Sequence, residues 1–282
     1  MKRALTAIIS LSLIFGLAGS SHAQVPVLKS ALQEVQKSVG DLLETKDSDD
    51  LTPEEKEKQE METRRATLAK VILLAVMEID DIGAKLDALA HLDDGQKEIR
   101  DAHKKKMEEY REYYREVEIK FEKNPNPEEI KGLAADIKNW REETYNSGIR
   151  PVINFMFVYQ GRQIFGVAEK RLGKIASDVS KLKGKSDKFG ELEKLLNQAG
   201  TLLEESRAVL NRAEETLWQE INPPVSATST AIIGGDSGAK PAEETETLLA
   251  PEMPDIKDLA KQSLEKIKSA YQIFLKMSRL AK

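Results

Sequence analysis

Apolar residues recur at helical spacing along almost the whole chain. From Met61 the series Met61, Arg65, Leu68, Ile72, Ala75, Ile79, Ile82, Leu86 and Leu89 steps alternately by four and three residues. That is the a/d repeat of a helix that keeps one seam against a partner helix. Only Arg65 interrupts it. Between Leu68 and Ile79 further apolar residues leave the seam, at Val71, Leu73, Leu74, Val76 and Met77, so this part of the helix must be covered on more than one side. The pattern predicts a multi-helix bundle built around a helix from about Leu51 to His91, about 39 residues long or close to 60 Å at 1.5 Å per residue.

The flanking segments read as helices too. Leu28, Leu32, Val35, Val39 and Leu42 form one apolar stripe, and Thr45 to Asp50 is a polar loop. Thr52-Pro53-Glu54-Glu55 supplies an N-cap, a proline at the first helical position and a capping-box acid. Leu92-Asp93-Asp94-Gly95-Gln96 ends that helix and opens the next, which carries Ile99, His103, Met107, Tyr110, Tyr114, Val117 and Phe121. The short connection makes a hairpin over about 52–122. A new start at Asn126-Pro127 predicts a short helix over about 127–147, with Ile130, Leu133, Ile137, Trp140 and Thr144 on one face and a stop at Ser147-Gly148. Pro151 then begins a second hairpin over about 151–221, with Phe165, Ala168, Leu172, Ile175, Val179 and Leu182 on its first arm and Leu192, Leu196, Leu203 and Leu210 on its second. The two hairpins overlay at an offset of 93 residues, with few identities, which favours a shared heptad periodicity over a true duplication.

From 222 to 254 the composition turns to Pro, Ser, Thr, Gly, Ala and Glu, which predicts a flexible linker. The closing segment, 255–282, is an amphipathic helix capped by Asp255. Its stripe of Ile256, Leu259, Ile267, Tyr271 and Phe274 either folds back onto the bundle or docks on a partner. The fold class is therefore all-α: an elongated, coiled-coil-like bundle of long antiparallel hairpins over 24–221, a linker and a C-terminal helix.

Composition adds a compartment. Lys2 and Arg3, the apolar run from Ala4 to Ala18, and Ser21-His22-Ala23 form an export signal over 1–23 with a cleavage site after it. No later stretch is apolar enough to span a bilayer; Val152 to Ala168 contains Asn154, Gln160, Arg162 and Gln163 and reads as buried helix. Cysteine is absent, which excludes disulfides, thiol catalysis and a lipid-acceptor cysteine. Basic and acidic residues number 43 and 48, a net charge of −5 that becomes −7 once Lys2 and Arg3 are removed. This is not the basic excess of a nucleic-acid binder.

Candidate chemistry is sparse. His91 and His103 flank a turn near Asp93 and Asp94, but without an HExxH or carboxylate-plus-ExxH pattern, so no metal or other cofactor is expected. The pairs Asp80-Asp81 and Asp93-Asp94 and the cluster Asp47, Asp49, Asp50 lack both a calcium-loop and a general acid/base arrangement, and read as caps and solvated faces. Gly161 and Gly166 read as positions of close helix approach. Among the aromatics, Tyr113 lies off the stripe of Tyr110, Tyr114 and Val117 and is the expected exposed partner-binding ring, together with the stripe Ile256, Leu259, Ile267, Tyr271 and Phe274. Leu51-Thr52-Pro53-Glu54-Glu55 and Leu92-Asp93-Asp94-Gly95-Gln96 resemble the Leu-Thr-x-x-Gln repeat at helix starts of small exported stress chaperones of the Spy/CpxP kind, each departing by one residue (Glu55 for Gln, Asp93 for Thr). The resemblance implies holdase activity. The residue patterns themselves point to a non-enzymatic, exported interaction or scaffold protein of the cell envelope, periplasmic or secreted. It would bind protein partners through apolar helix faces, with self-association as one form of that.

Overall fold

The computed structural model of this chain describes residues 24–47, 52–123, 125–222 and 255–281. The expected signal, 1–23, and the expected linker from 223 to 254 lie outside the described residues. The described elements are helices packed on one another, an all-α multi-helix fold. They are α1 (Gln24–Asp47), α2 (Pro53–Asp87), α3 (Asp94–Glu122), α4 (Pro127–Trp140), a π turn (Arg141–Tyr145), α5 (Asn146–Ser180), α6 (Phe189–Ile221) and α7 (Ile256–Leu280).

Helix starts follow the capping rules. Thr52 and Glu55, Asp93 and Gln96, and Asn126 and Glu129 form three capping boxes in which side chain and backbone satisfy each other's N–H groups. Both chaperone-like stretches act here as such boxes. α2 ends at Asp87, short of the expected His91. His91 has φ of 60°, a left-handed conformation that helps to reverse the chain within the short connection to α3.

The expected break at Ser147-Gly148 does not occur. α4 runs through the π turn into α5, so the short helix over about 127–147 and a separate arm starting at 151 become one helical path from 127 to 180. Pro151 lies inside it, where it removes one backbone donor without ending the helix. Thr144 is exposed, and Arg141 and Tyr145 occupy the buried face in its place. A widened turn shifts which residues face inward.

The chain forms two compact units, divided in sequence between Gln160 and Gly161 inside α5. In the first, α1 runs antiparallel to α2, with Val35 packed on Val71 and Leu74 and a buried hydroxyl pair, Ser38 Oγ to Thr67 Oγ1, at 3.0 Å. α2 runs antiparallel to α3, tied at the surface by Asp80–Arg111 (3.5 Å) and Asp87–Lys104 (2.5 Å). The α2 seam is buried at Leu68, Ile72, Ala75, Ile79, Ile82, Leu86 and Leu89. Arg65 keeps its place in it by setting its guanidinium over the Phe121 ring, 5.5 Å from the centroid. Residues 152–156 of α5 are buried on consecutive positions, as the buried-helix reading of this stretch requires. No described helix is long and apolar enough to cross a membrane.

In the second unit, residues 161–180 of α5, α6 and α7 pack around Phe165, Ala168, Ala199, Leu203, Leu210, Ile267, Ala270 and Phe274. Arg162 pairs with Glu214 and Glu169 with Arg207, the descending order of an antiparallel pair. α7 lies antiparallel along α6, through Ser206 Oγ to Ser263 Oγ at 2.8 Å and Lys266 to Glu205 at 2.5 Å. The C-terminal helix thus folds back. A Cβ at Gly161 would approach Leu210 Cδ2 to 2.8 Å, so this glycine permits the expected close approach, whereas nothing lies within 4 Å of Gly166.

Candidate functional site

A buried ion pair lies in the first unit, where the π turn faces α2 and α3. Arg141 is buried; its Nη1 donates to Tyr114 Oη at 2.9 Å and its Nη2 to Glu78 Oε2 at 3.2 Å. Its guanidinium also lies 4.4 Å from the Tyr145 ring centroid. Burial, the largest single influence, would favour the neutral guanidine, but the Glu78 carboxylate, Tyr114 and Tyr145 together outweigh it and hold Arg141 charged. Burial pushes the Tyr145 hydroxyl well above its ordinary range, and Glu78 pushes it further against the opposing pull of Arg141. Among the described residues, Glu78 Oε1 and the Tyr110 hydroxyl have no hydrogen-bond partner.

Aromatic rings surround this pair. Trp140 stacks on Tyr113 at 3.8 Å and 8°, and meets Tyr110 and Tyr114 edge-on at 5.4 and 5.5 Å. Tyr113 is therefore half-buried rather than freely exposed, and burial, with the neighbouring Tyr114 and Asp136, raises its hydroxyl to about 12. Beside this cluster, α3 and the helical path from the π turn into α5 enclose an open pocket of about 500 Å³, lined by His103, Lys106, Glu143, Ser147, Gly148 and Pro151 among others. His103 packs edge-on to Phe155 at 5.2 Å. Burial first, and the charge of Lys106 second, lower its pKa to about 4, so it is neutral at pH 7. Ser147 Oγ is engaged with the carbonyls of Glu143 and Thr144. Among the described residues, His103 Nε2 has no hydrogen-bond partner.

The other sequence candidates separate. Ile256, Leu259, Ile267 and Phe274 are each less than 5% exposed, with Ile267 and Phe274 in the core of the second unit. Tyr271 is partly buried against that core, under the Arg171 guanidinium at 5.4 Å. The expected partner-binding stripe of the C-terminal helix is thus turned inward. His91 is exposed at its turn, apart from the half-buried His103. Asp81 forms a buried pair with Lys85 at 2.6 Å, and Asp94 an exposed one with Lys97 at 2.8 Å. Among the described residues no group of three or more His, Cys, Asp or Glu side chains could hold a metal ion.

Among the described residues, α2 carries an exposed apolar surface. On the face of α2 away from its seam, Ala66, Ala69 and Leu73 are exposed, Leu73 by 57%, and Val76 and Met77 are half-buried. At helical spacing these five residues form a continuous strip. Val71 and Leu74 are covered by α1, so α1 supplies the second cover that the sequence requires but reaches only part of the apolar circumference. The chain matches no protein-family model, no curated protein and no solved structure.

Proposed function

We propose that this chain is an exported, non-enzymatic helical interaction protein of the cell envelope, and that the open strip of α2 is the face it offers to a partner helix. The observation that carries the reading is the exposure of Leu73 between Ala69, Val76 and Met77, on a helix whose other leucine and isoleucine side chains are buried. Small side chains beside one large one let a second helix approach closely and seat a knob against Leu73. The leading segment, Lys2 to Ala23, supports export.

Because the chain has no cysteine, one introduced at position 73 is unique. A thiol-reactive photocrosslinker on Leu73→Cys, irradiated in intact cells, is expected to give one discrete adduct in the envelope fraction, while the same probe at the exposed Lys105→Cys gives none. Identical patterns from both sites would contradict the reading. A ladder of many adducts, with suppressed aggregation of an unrelated unfolded client, would favour the holdase alternative.

A further inference from the structure

One end of the second unit is strongly basic. The turn after α5 carries Lys181, Lys183, Lys185 and Lys188, and the C-terminal end of α7 brings Arg279, in its last turn, and Lys276, just before it, to the same end. The two segments are joined: Lys188 Nζ donates to the Leu280 carbonyl at 3.0 Å, and Leu182, Phe189 and Leu280 share a cluster with Val179, Leu192 and Met277. Gly184, at φ of 72°, makes the tight reversal that crowds the lysines together. Against these six cations the same end holds three acids, Asp178 at the end of α5, Asp187 in the turn and Glu191 in the first turn of α6, so its balance is positive in a chain whose overall charge is negative.

Compensation of helix dipoles does not account for this. The C-termini of α5 and α7 together carry the equivalent of about one negative charge. Lys181 already pairs with Asp178 at 2.8 Å, and Lys188 already serves the end of α7. Lys183, Lys185, Lys276 and Arg279 are exposed and make no ion pair among the described residues.

We infer that this basic end is a docking surface for an anionic phospholipid membrane. Five of the six cations are lysines, compact charges suited to a diffuse negative surface rather than to bidentate reading of single phosphates. Leu182, Phe189 and Leu280 remain partly exposed among them, the pairing of cations with apolar side chains that favours a lipid interface. Among the described residues no row of aromatic rings at this end offers the stacking platform that single-stranded nucleic acid uses. Each cation at such a surface contributes about fivefold in partitioning. The inference goes beyond the partner reading of α2 and stands or falls without it.

Co-sedimentation of residues 24–282 with phosphatidylcholine vesicles, with and without about one-third phosphatidylglycerol, tests it. Binding is expected only to the anionic vesicles, and is expected to vanish near 1 M salt, where the screening length is about 3 Å. The variant with Lys183, Lys185, Lys276 and Arg279 each changed to Glu is expected to bind more weakly by roughly 100-fold or more. A second variant with Gln at those positions checks that the loss follows charge. Both change exposed residues, and their melting temperatures are expected to equal the parent's. A control with Lys29, Lys37, Lys58 and Lys105 changed to Glu has the same net charge as the first variant and is expected to retain binding. Failure to bind anionic vesicles, an equal loss in the control, or displacement from vesicles by duplex DNA would each overturn the inference.

Discussion

Arg141 shows how a single residue fixes the arrangement of the first unit. Its guanidinium joins Glu78 of α2 to Tyr114 of α3 from the π turn, so three elements meet at one charge. Replacing it by Met leaves the Glu78 carboxylate buried without its cation. Arg141→Met is expected to destabilise the protein by about 3–5 kcal/mol. Adding Glu78→Leu to the same chain is expected to restore most of that loss, because an apolar pair replaces the stranded charge. Urea unfolding of parent, single and double variants measures both steps. A double variant no more stable than the single would show that the pair does not act as one unit. Apolar periodicity could not reveal this network, because Glu78 and Arg141 are the residue types such a reading assigns to the surface. Only the spacing hinted at it: Leu133, Ile137, Arg141, Tyr145 and Ile149 are all buried and follow at intervals of four. An α-helix would turn such a series by about 40° per step. The π turn absorbs part of that drift and keeps both Arg141 and Tyr145 facing inward.

At the scale of elements, the seams and starts were legible and the long helical path was not. Leu68 to Leu89 and Met107 to Val117 are buried where the heptads put them, and three helix starts are capping boxes, because these patterns depend on residues close in sequence. Ser147-Gly148 carries the same residues as a helix stop, but its reason is tertiary. A Cβ at Gly148 would overlap the Tyr110 hydroxyl and lie 2.8 Å from Lys106 Cε, so the glycine lets α3 approach α5. Gly148→Ala, which would stabilise a free helix by about 1 kcal/mol, is therefore expected to destabilise this protein by about 1–3 kcal/mol. Tyr110→Phe removes a hydroxyl that has no partner and is expected to relieve the clash when combined with it. Thermal melting of the two single variants and the pair provides the comparison. A stabilising Gly148→Ala would mean that the helices are not held this closely.

For the molecule as a whole, the sequence left two places for the C-terminal helix, and the structure packs it against α6. Its stripe showed that one face must be covered without identifying the cover, since the matching surface lies far away in sequence. Ile256, Leu259, Ile267, Phe274 and Met277 are all buried, and each contributes about 1.5–3 kcal/mol of transfer free energy against the cost of ordering the helix. Within each unit the described seams close on that unit's own helices, and both proposed interactions depend on that closure. Amide hydrogen exchange on residues 24–282 tests it most directly. The protected amides of 256–280 are expected to open together with those of 189–221, at one common free energy that falls in parallel with added urea. Exchange of 256–280 at the rate of an unstructured peptide, with 189–221 still protected, would contradict the account and make the C-terminal helix a free tethered arm.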